Sequence, residues 1–396
     1  MAKPSPVSRR AANIESFHVM DILARSKAME AQGKTVMHME IGEPDFSTPQ
    51  PIIEAGMRAL QNQQTFYTPA LGLPALREAI SGWYQTYYGL SISANRIVVT
   101  PGASGALLLV LGALLDQNKK VLMTDPGYPC NRHFATFLSS KAKPVPVDAK
   151  TNFQLTARHI ADYWDSETQV ALVASPANPT GTVLLETDLK NLVTAVRARA
   201  GMLVVDEIYH GLTYDGIRLP TVLAVDNDAI VINSFSKFFG MTGWRLGWAV
   251  VPADMEPVMD RLAQNLFLAA PTISQHAALA AFTDETMEIL EQRRAQFEQR
   301  RNWLLPALRE LGFHFPVTPK GAFYLYADCR ELLTSTCPDS QSLCRLFLDS
   351  AGVAVTPGYD FGQHQQQNHV RFAYTTSERY LTQAIERLSK VLGKPA

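Results

Sequence analysis

Short β-branched runs alternate with longer amphipathic ones through the middle of the chain. RIVVT (96–100) leads into SGALLLVLGALL (104–115), a helix-like apolar stretch, and KVLMTD (120–125) follows. QVALVAS (169–175) precedes a helical segment over 186–200, and then come MLVVDE (202–207), AIVINSF (229–235) and RLGWAVV (245–251). Strands that are apolar throughout are covered on both faces, and their alternation with helices predicts an α/β fold with a mostly parallel sheet. Ligands on such sheets gather at the carboxyl ends of the strands.

The pattern changes near residue 284. ETMEILEQRRAQFEQRRNWLLPALRELG (285–312) has helical periodicity with many charges and predicts a long, partly exposed helix. AFYLYAD (322–328) and HVRFAY (369–374) read as shorter strands among helices, and VMHMEIGEPDF (36–46) does not fit the central repeat. The expected division is a large domain over 46–289 and a smaller α+β domain built from 1–45 and 290–396.

Composition narrows the classes. The 396 residues are 46% hydrophobic and 18% charged with a formal net charge of −1, an ordinary globular balance that offers no global field for nucleic acid or an anionic membrane. Cys130, Cys329, Cys337 and Cys344 form neither a Cys-x-x-Cys pair nor a zinc pattern, so reduced thiols and no metal are expected. The most apolar run (106–115) is too short to span a bilayer, and the first residues lack a secretory apolar core. A soluble, cytoplasmic protein is the expectation.

The chemistry concentrates in a few turns. SFSKFFGMTGWRLGW (234–248) sets Lys237 among aromatic, small and hydroxyl residues. Such a lysine can snorkel or rest on a ring, but a buried amine can also serve as a nucleophile toward a carbonyl. Ser234, Ser236 and Arg245 of the same stretch suit a phosphate. VTPGASGALLL (99–109) runs strand, turn, helix, so free N–H groups around Ala103 and Ser104 face any anion held there, although a plain turn would look the same. Asp206 ends an apolar strand, where a carboxylate caps a helix or partners a pyridine nitrogen, and Tyr209 follows one turn later. Asn178 lies in the turn SPANPTG (175–181), and DPGYPC (125–130) offers Tyr128 as a stacking face. Arg371 in an apolar strand needs a carboxylate, from substrate or from a structural partner.

SFSKFFGMTGWRLGW, SPANPTG, VVDEIYH (204–210), IGEPDF (41–46), YTPALGLPALREAI (67–80) and GAFYLY (321–326) together resemble the class I/II aminotransferases, fold type I pyridoxal-phosphate enzymes, from about Ser8 to the C-terminus. The resemblance implies a seven-stranded, mostly parallel sheet and pyridoxal 5′-phosphate held covalently by Lys237, which then moves the substrate α-proton. It implies Asp206 on the ring nitrogen, Asn178 and Tyr209 on the ring oxygen and Tyr128 stacked on the ring. Ala103, Ser104, Ser234, Ser236 and Arg245 would hold the phosphate. Tyr67 would reach the phosphate of a neighbouring subunit in a homodimer with shared active sites. Gly42 and Arg371, with Asn178, would hold the α-carboxylate of an L-amino acid or 2-oxo acid.

Ser104 stands where one aspartate-specific bacterial branch has a lysine. Phe17, Val19 and Met20, together with NLFLAAP (265–271), make the expected side-chain pocket apolar, with His18 the one nearby polar group. The donor is therefore expected to have a neutral or hydrophobic side chain, with an acceptor such as 2-oxoglutarate in a ping-pong exchange. Two other functions use the same residues or fold: a carbon–sulfur β-lyase, and a non-catalytic ligand-sensing module of the kind fused to DNA-binding domains.

Overall fold

The computed structural model describes residues 7–16 and 18–394; Phe17, expected in the side-chain pocket, lies outside them. Its strands are β1 (Met37–His38), β2 (Ile97–Thr100), β3 (Lys120–Asp125), β4 (Lys141–Pro146), β5 (Thr168–Ala174), β6 (Met202–Asp206), β7 (Ile230–Ser234), β8 (Gly247–Val250), β9 (Tyr324–Asp328), β10 (Val353–Ala354), β11 (Thr356–Pro357) and β12 (His369–Ala373). Seven form one sheet in the order β2-β8-β7-β6-β5-β3-β4. All neighbours are parallel except β8, which runs antiparallel to both β2 and β7.

Successive residues of the central strands feed two different apolar clusters, which is why the runs carry no polar face. Ile97, Ala171, Val173, Leu203, Val205, Val231 and Trp248 join one cluster, while Val98, Val170, Leu172, Val204, Ile230, Ile232 and Ala249 join the other. Helices Pro74–Tyr88 and Glu186–Arg197 pack on the first face, and Gly102–Leu114 and Glu256–Leu266 on the second.

β4 has no counterpart among the expected strands. It is the sheet edge, with Lys141, Lys143, Pro144 and Pro146 in six residues. Lysine and proline on an edge blunt further strand pairing, and they also hide the strand from a hydrophobicity pattern.

A second sheet, β11-β12-β9, is antiparallel, and β1 pairs in parallel with β10 through Met37↔Val353. The Ala373 N–H donates to the Met39 carbonyl at 2.7 Å, so the segment leaving β1 runs on beside β12. That contact carries residues 40–43 toward the carboxyl ends of β5 and β6. Among the described residues, no helix is long and apolar enough to cross a membrane.

Candidate active site

A cavity of about 270 Å³ opens where the large sheet's carboxyl edge meets β12 and the 41–43 segment; Lys237, Asp206, Tyr209, Asn178, Tyr128, Ala103, Ser104, Gly42 and Arg371 all line it. Residues scattered over most of the chain therefore converge on one space.

Lys237 follows β7, and its Nζ donates to the Gly42 carbonyl at 2.6 Å. Burial pushes its ammonium down to about 8; Arg371 and Arg245 add to the push, and Glu43 and Asp206 resist it. An amine so placed is partly neutral near physiological pH, as a nucleophile must be. Asp206 ends β6, and one of its carboxylate oxygens accepts the Ile208 N–H at 3.1 Å. Burial pushes this carboxyl up to about 7, against that hydrogen bond and the Lys237 charge. A buried carboxylate of this kind calls for a cationic N–H partner.

Arg371, in the middle strand of the smaller sheet, is held from several sides. Its Nη1 donates to Asn178 Oδ1 at 2.9 Å, and its Nη2 donates to the Glu40 carbonyl and to Thr356 Oγ1. The guanidinium lies 4.4 Å from the Tyr324 ring centre and 4.8 Å from that of Phe361. Its Nε is buried without a hydrogen-bond partner, an orphan donor that an incoming carboxylate would satisfy. The held Asn178 oxygen fixes that amide, leaving its NH₂ as the end available to a ligand.

Tyr324 has no role in the sequence reading, although it sits inside GAFYLY. Its hydroxyl meets that of Tyr209 at 2.8 Å. The register Arg371↔Tyr326 and Ala373↔Tyr324 places Tyr324 diagonally beside Arg371 on one sheet face. The alternation in AFYLYAD marks the strand but not this pairing, which depends on register with residues far along the chain.

Gly42 fits only as glycine, since a Cβ there would lie 1.8 Å from the Tyr324 hydroxyl. Gly42→Ala is expected to displace Tyr324, and with it the Tyr209 hydroxyl, lowering kcat/KM at least about 100-fold while the melting temperature changes little. Steady-state kinetics beside a thermal melt checks this.

Where the phosphate is expected, helix Gly102–Leu114 begins after Pro101 with no side-chain cap, leaving its first N–H groups free. Arg245, in left-handed backbone (φ 54°), brings Nη2 so near Gly102 that an added Cβ would sit 2.7 Å away. Ser236 N–H donates to Ser234 Oγ at 3.0 Å, and Ser234 Oγ also bonds Ser236 Oγ. Ser234 pairs with Gly247, where an added Cβ would lie 2.7 Å from the Ala103 nitrogen, and none of Ser234, Ser236 and Arg245 lines the cavity itself. Tyr67 lies outside the cavity, 85% exposed.

The apolar side of the cavity comes from Val19, Met20, Ile41 and Leu107. Residues 265–271, expected on the apolar wall, do not line this cavity within the single chain. Helix Glu256–Leu266 buries Met259 and Ala263 under the sheet, while its last residue, Leu266, and Leu268 just past it are each 57% exposed. All four cysteines are free thiols, and Cys130 flanks Tyr128 without lining the cavity.

The model of the family described as aminotransferase class I and II matches residues 34–388. The chain belongs to the class I and II aminotransferases. It is 36% identical over 383 residues to the valine–pyruvate aminotransferase of Mycobacterium tuberculosis, covering 96% of this chain and 97% of that one. It is 35% identical over 390 residues to the (5-formylfuran-3-yl)methyl phosphate transaminase of Methanocaldococcus jannaschii, covering 98% and 100%. Among solved structures, an aminotransferase from Mycobacterium tuberculosis superposes with a TM-score of 0.94 at 35% identity, covering 98% and 99% of the two chains. The aspartate aminotransferase of Thermus thermophilus with maleate does so at 0.92 and 32%, covering 98% and 100%. The chain is thus a fold type I aminotransferase, of a family whose members generally depend on pyridoxal phosphate.

Proposed function

We propose that this aminotransferase takes the α-amino group from an L-amino acid with a neutral or hydrophobic side chain and passes it to a 2-oxo acid in a ping-pong exchange. The observation that carries the reading is the enclosure of Lys237, Asp206 and Arg371 in one cavity whose apolar side includes Val19, Met20, Ile41 and Leu107 and whose cations, among the described residues, are Lys237 and Arg371 alone. The residues suit pyridoxal phosphate: a buried amine for its aldehyde, a buried carboxylate for its ring nitrogen, and an uncapped helix start beside Arg245 for its phosphate. When bound, that group supplies an electron-withdrawing ring that takes up charge from the substrate α-carbon.

The chain's own residues do the rest. Arg371 and the Asn178 amide seat the α-carboxylate, with Gly42 closing against Tyr324. Lys237 holds the cofactor and then carries the proton to and from the α-carbon. Asp206 would keep the ring-nitrogen proton in place, Tyr209 and Asn178 would hydrogen-bond the ring oxygen, and Tyr128 would stack on the ring. Ala103, Ser104, Ser234, Ser236 and Arg245 hold the phosphate.

We further propose a homodimer in which Tyr67 completes the partner's phosphate site. Phe66 and Tyr67 are 79% and 85% exposed, and the Thr272 hydroxyl bonds the Phe66 carbonyl, setting Leu266 and Leu268 near the same face. Lobes of 46–289 and of 1–45 with 290–396 would meet across the cavity, and four free thiols suit a reducing cytoplasm.

The test is a donor panel on the holoenzyme without acceptor, followed by visible absorption. Neutral and hydrophobic donors are expected to bleach the cofactor band with kcat/KM at least about tenfold above aspartate. Equal rates for aspartate and alanine would sink the donor assignment. Pyruvate and ammonia released without an acceptor would indicate β-lyase chemistry instead.

A further inference from the structure

A second cavity, of about 900 Å³, adjoins the one that holds Lys237. Tyr128 lines both. At the start of the N-terminal helix, His18 faces the outer cavity while the next two residues, Val19 and Met20, face the inner one. Phe361 lines the outer cavity, and its ring covers the Arg371 guanidinium at 4.8 Å.

Arg132 also lines the outer cavity, one helical turn beyond Tyr128 in helix Pro129–Phe137. Its Nη2 donates to the Asp360 carbonyl at 3.2 Å, the side chain's one hydrogen bond among the described residues. The nearby acids are occupied elsewhere. The Asp360 carboxylate accepts the N–H groups of His18 and Val19 at 2.9 and 3.3 Å, and the Asp125 carboxylate accepts those of Gln363 and His364. Glu15, a further acid on the wall, makes no hydrogen bond or ion pair with Arg132 among the described residues, and its charge acts on His133. Arg132 is therefore a guanidinium held in place by a neutral carbonyl, with most of its fork unused.

The inner cavity lacks this capacity. Its cations are Lys237 and Arg371, the first committed to the cofactor and the second to the α-carboxylate under the aminotransferase reading on which this inference rests. A neutral donor needs nothing more than the apolar wall. The oxo acid that returns to the same site has no cation left there for a second carboxylate, and an unpaired buried carboxylate is costly.

We propose that Arg132 binds the distal carboxylate of a dicarboxylic 2-oxo acid acceptor, whose far end passes Tyr128 into the outer cavity. Neutral donors and acidic acceptors then share the Arg371 site and differ in which chamber receives the side chain. Arg132 acts in specificity and takes no part in the proton transfers.

The experiment compares Arg132→Met with the wild-type holoenzyme. The donor half-reaction is read first, without acceptor, and then the return half-reaction with 2-oxoglutarate, 2-oxoadipate, pyruvate and 2-oxobutyrate. Dicarboxylic acceptors are expected to lose about 10- to 100-fold in kcat/KM, mainly through KM, while the donor and monocarboxylic reactions stay within about threefold. Arg132→Lys should recover part of the loss, because it restores the charge without the fork. Calorimetric binding of unreactive glutarate and butyrate supplies a readout independent of turnover: wild type should favour glutarate, and Arg132→Met should lose that preference. An equal loss for both acceptor classes would mark a structural role and overturn the proposal, as would a wild type that binds glutarate no better than butyrate. If no donor reacts even in the wild type, the donor assignment fails and the glutarate comparison still decides Arg132.

Discussion

Lys237→Ala is expected to purify as a folded protein that shows no visible cofactor band after soaking with pyridoxal phosphate, with activity down at least about 10⁴-fold. The side chain's one hydrogen bond among the described residues runs from Nζ to the Gly42 carbonyl, and burying an ammonium is itself costly. Truncation should therefore not lower the melting temperature of the apoprotein. Lys237→Arg separates charge from chemistry: a guanidinium keeps the positive charge but does not deprotonate to attack a carbonyl. It should be as inactive as the alanine variant.

The same amine predicts a pH dependence. Its neutral form is the attacking one, and burial lowers its titration to about 8, whereas an exposed lysine titrates near about 10.4. The amine is protonated below that point and free above it, so capture of pyridoxal phosphate by the apoprotein should accelerate as pH rises through about 8 and then level off. Stopped-flow absorbance measures the rate. A rate that keeps climbing toward pH 10, or a Lys237→Ala protein that turns over substrate, would remove Lys237 from the centre of the site.

How far the chain could be read in advance depended on whether a signal was local. Arg371 was legible because a guanidinium within HVRFAY has no cheap place in a sheet core, and the structure buries it with Nε unpaired. That Asp206 and Lys237 share one cavity was legible because the first ends an apolar strand and the second lies three residues beyond one, where α/β sheets put ligands. β8 was legible as a strand but not as the antiparallel member of the sheet, since an apolar run carries no direction. Tyr324 required the register of β9 against β12 as well as the fold around Tyr209. The stretch 265–271 could not be placed because apolar composition alone does not distinguish a pocket wall from a surface: within one chain Leu266 and Leu268 are exposed and stand apart from the Lys237 cavity.

Asp206→Asn carries the second large effect, and it separates binding from chemistry. The amide has the carboxylate's shape and can still accept the Ile208 N–H, so the fold and the covalent attachment at Lys237 should persist. What it lacks is the negative charge. In the wild type, burial drives the carboxyl up to about 7; under the proposed assignment a cationic N–H beside it would reverse that push, and the carboxylate would in turn hold the proton on the ring nitrogen. With asparagine the nitrogen has no anion to stabilise its proton, and the ring withdraws electrons less well when the α-proton leaves. The expected result is a visible band of near-normal intensity whose bleaching by a good donor is slower by about 10³-fold in single-turnover absorbance, with donor affinity changed far less. A bleaching rate within about threefold of wild type would mean that Asp206 does not partner the ring nitrogen. The two variants should then read differently in one cuvette: Lys237→Ala should have no band to bleach, and Asp206→Asn a band that hardly bleaches, because under the proposed assignment one residue makes the bond to the cofactor and the other makes that bond useful.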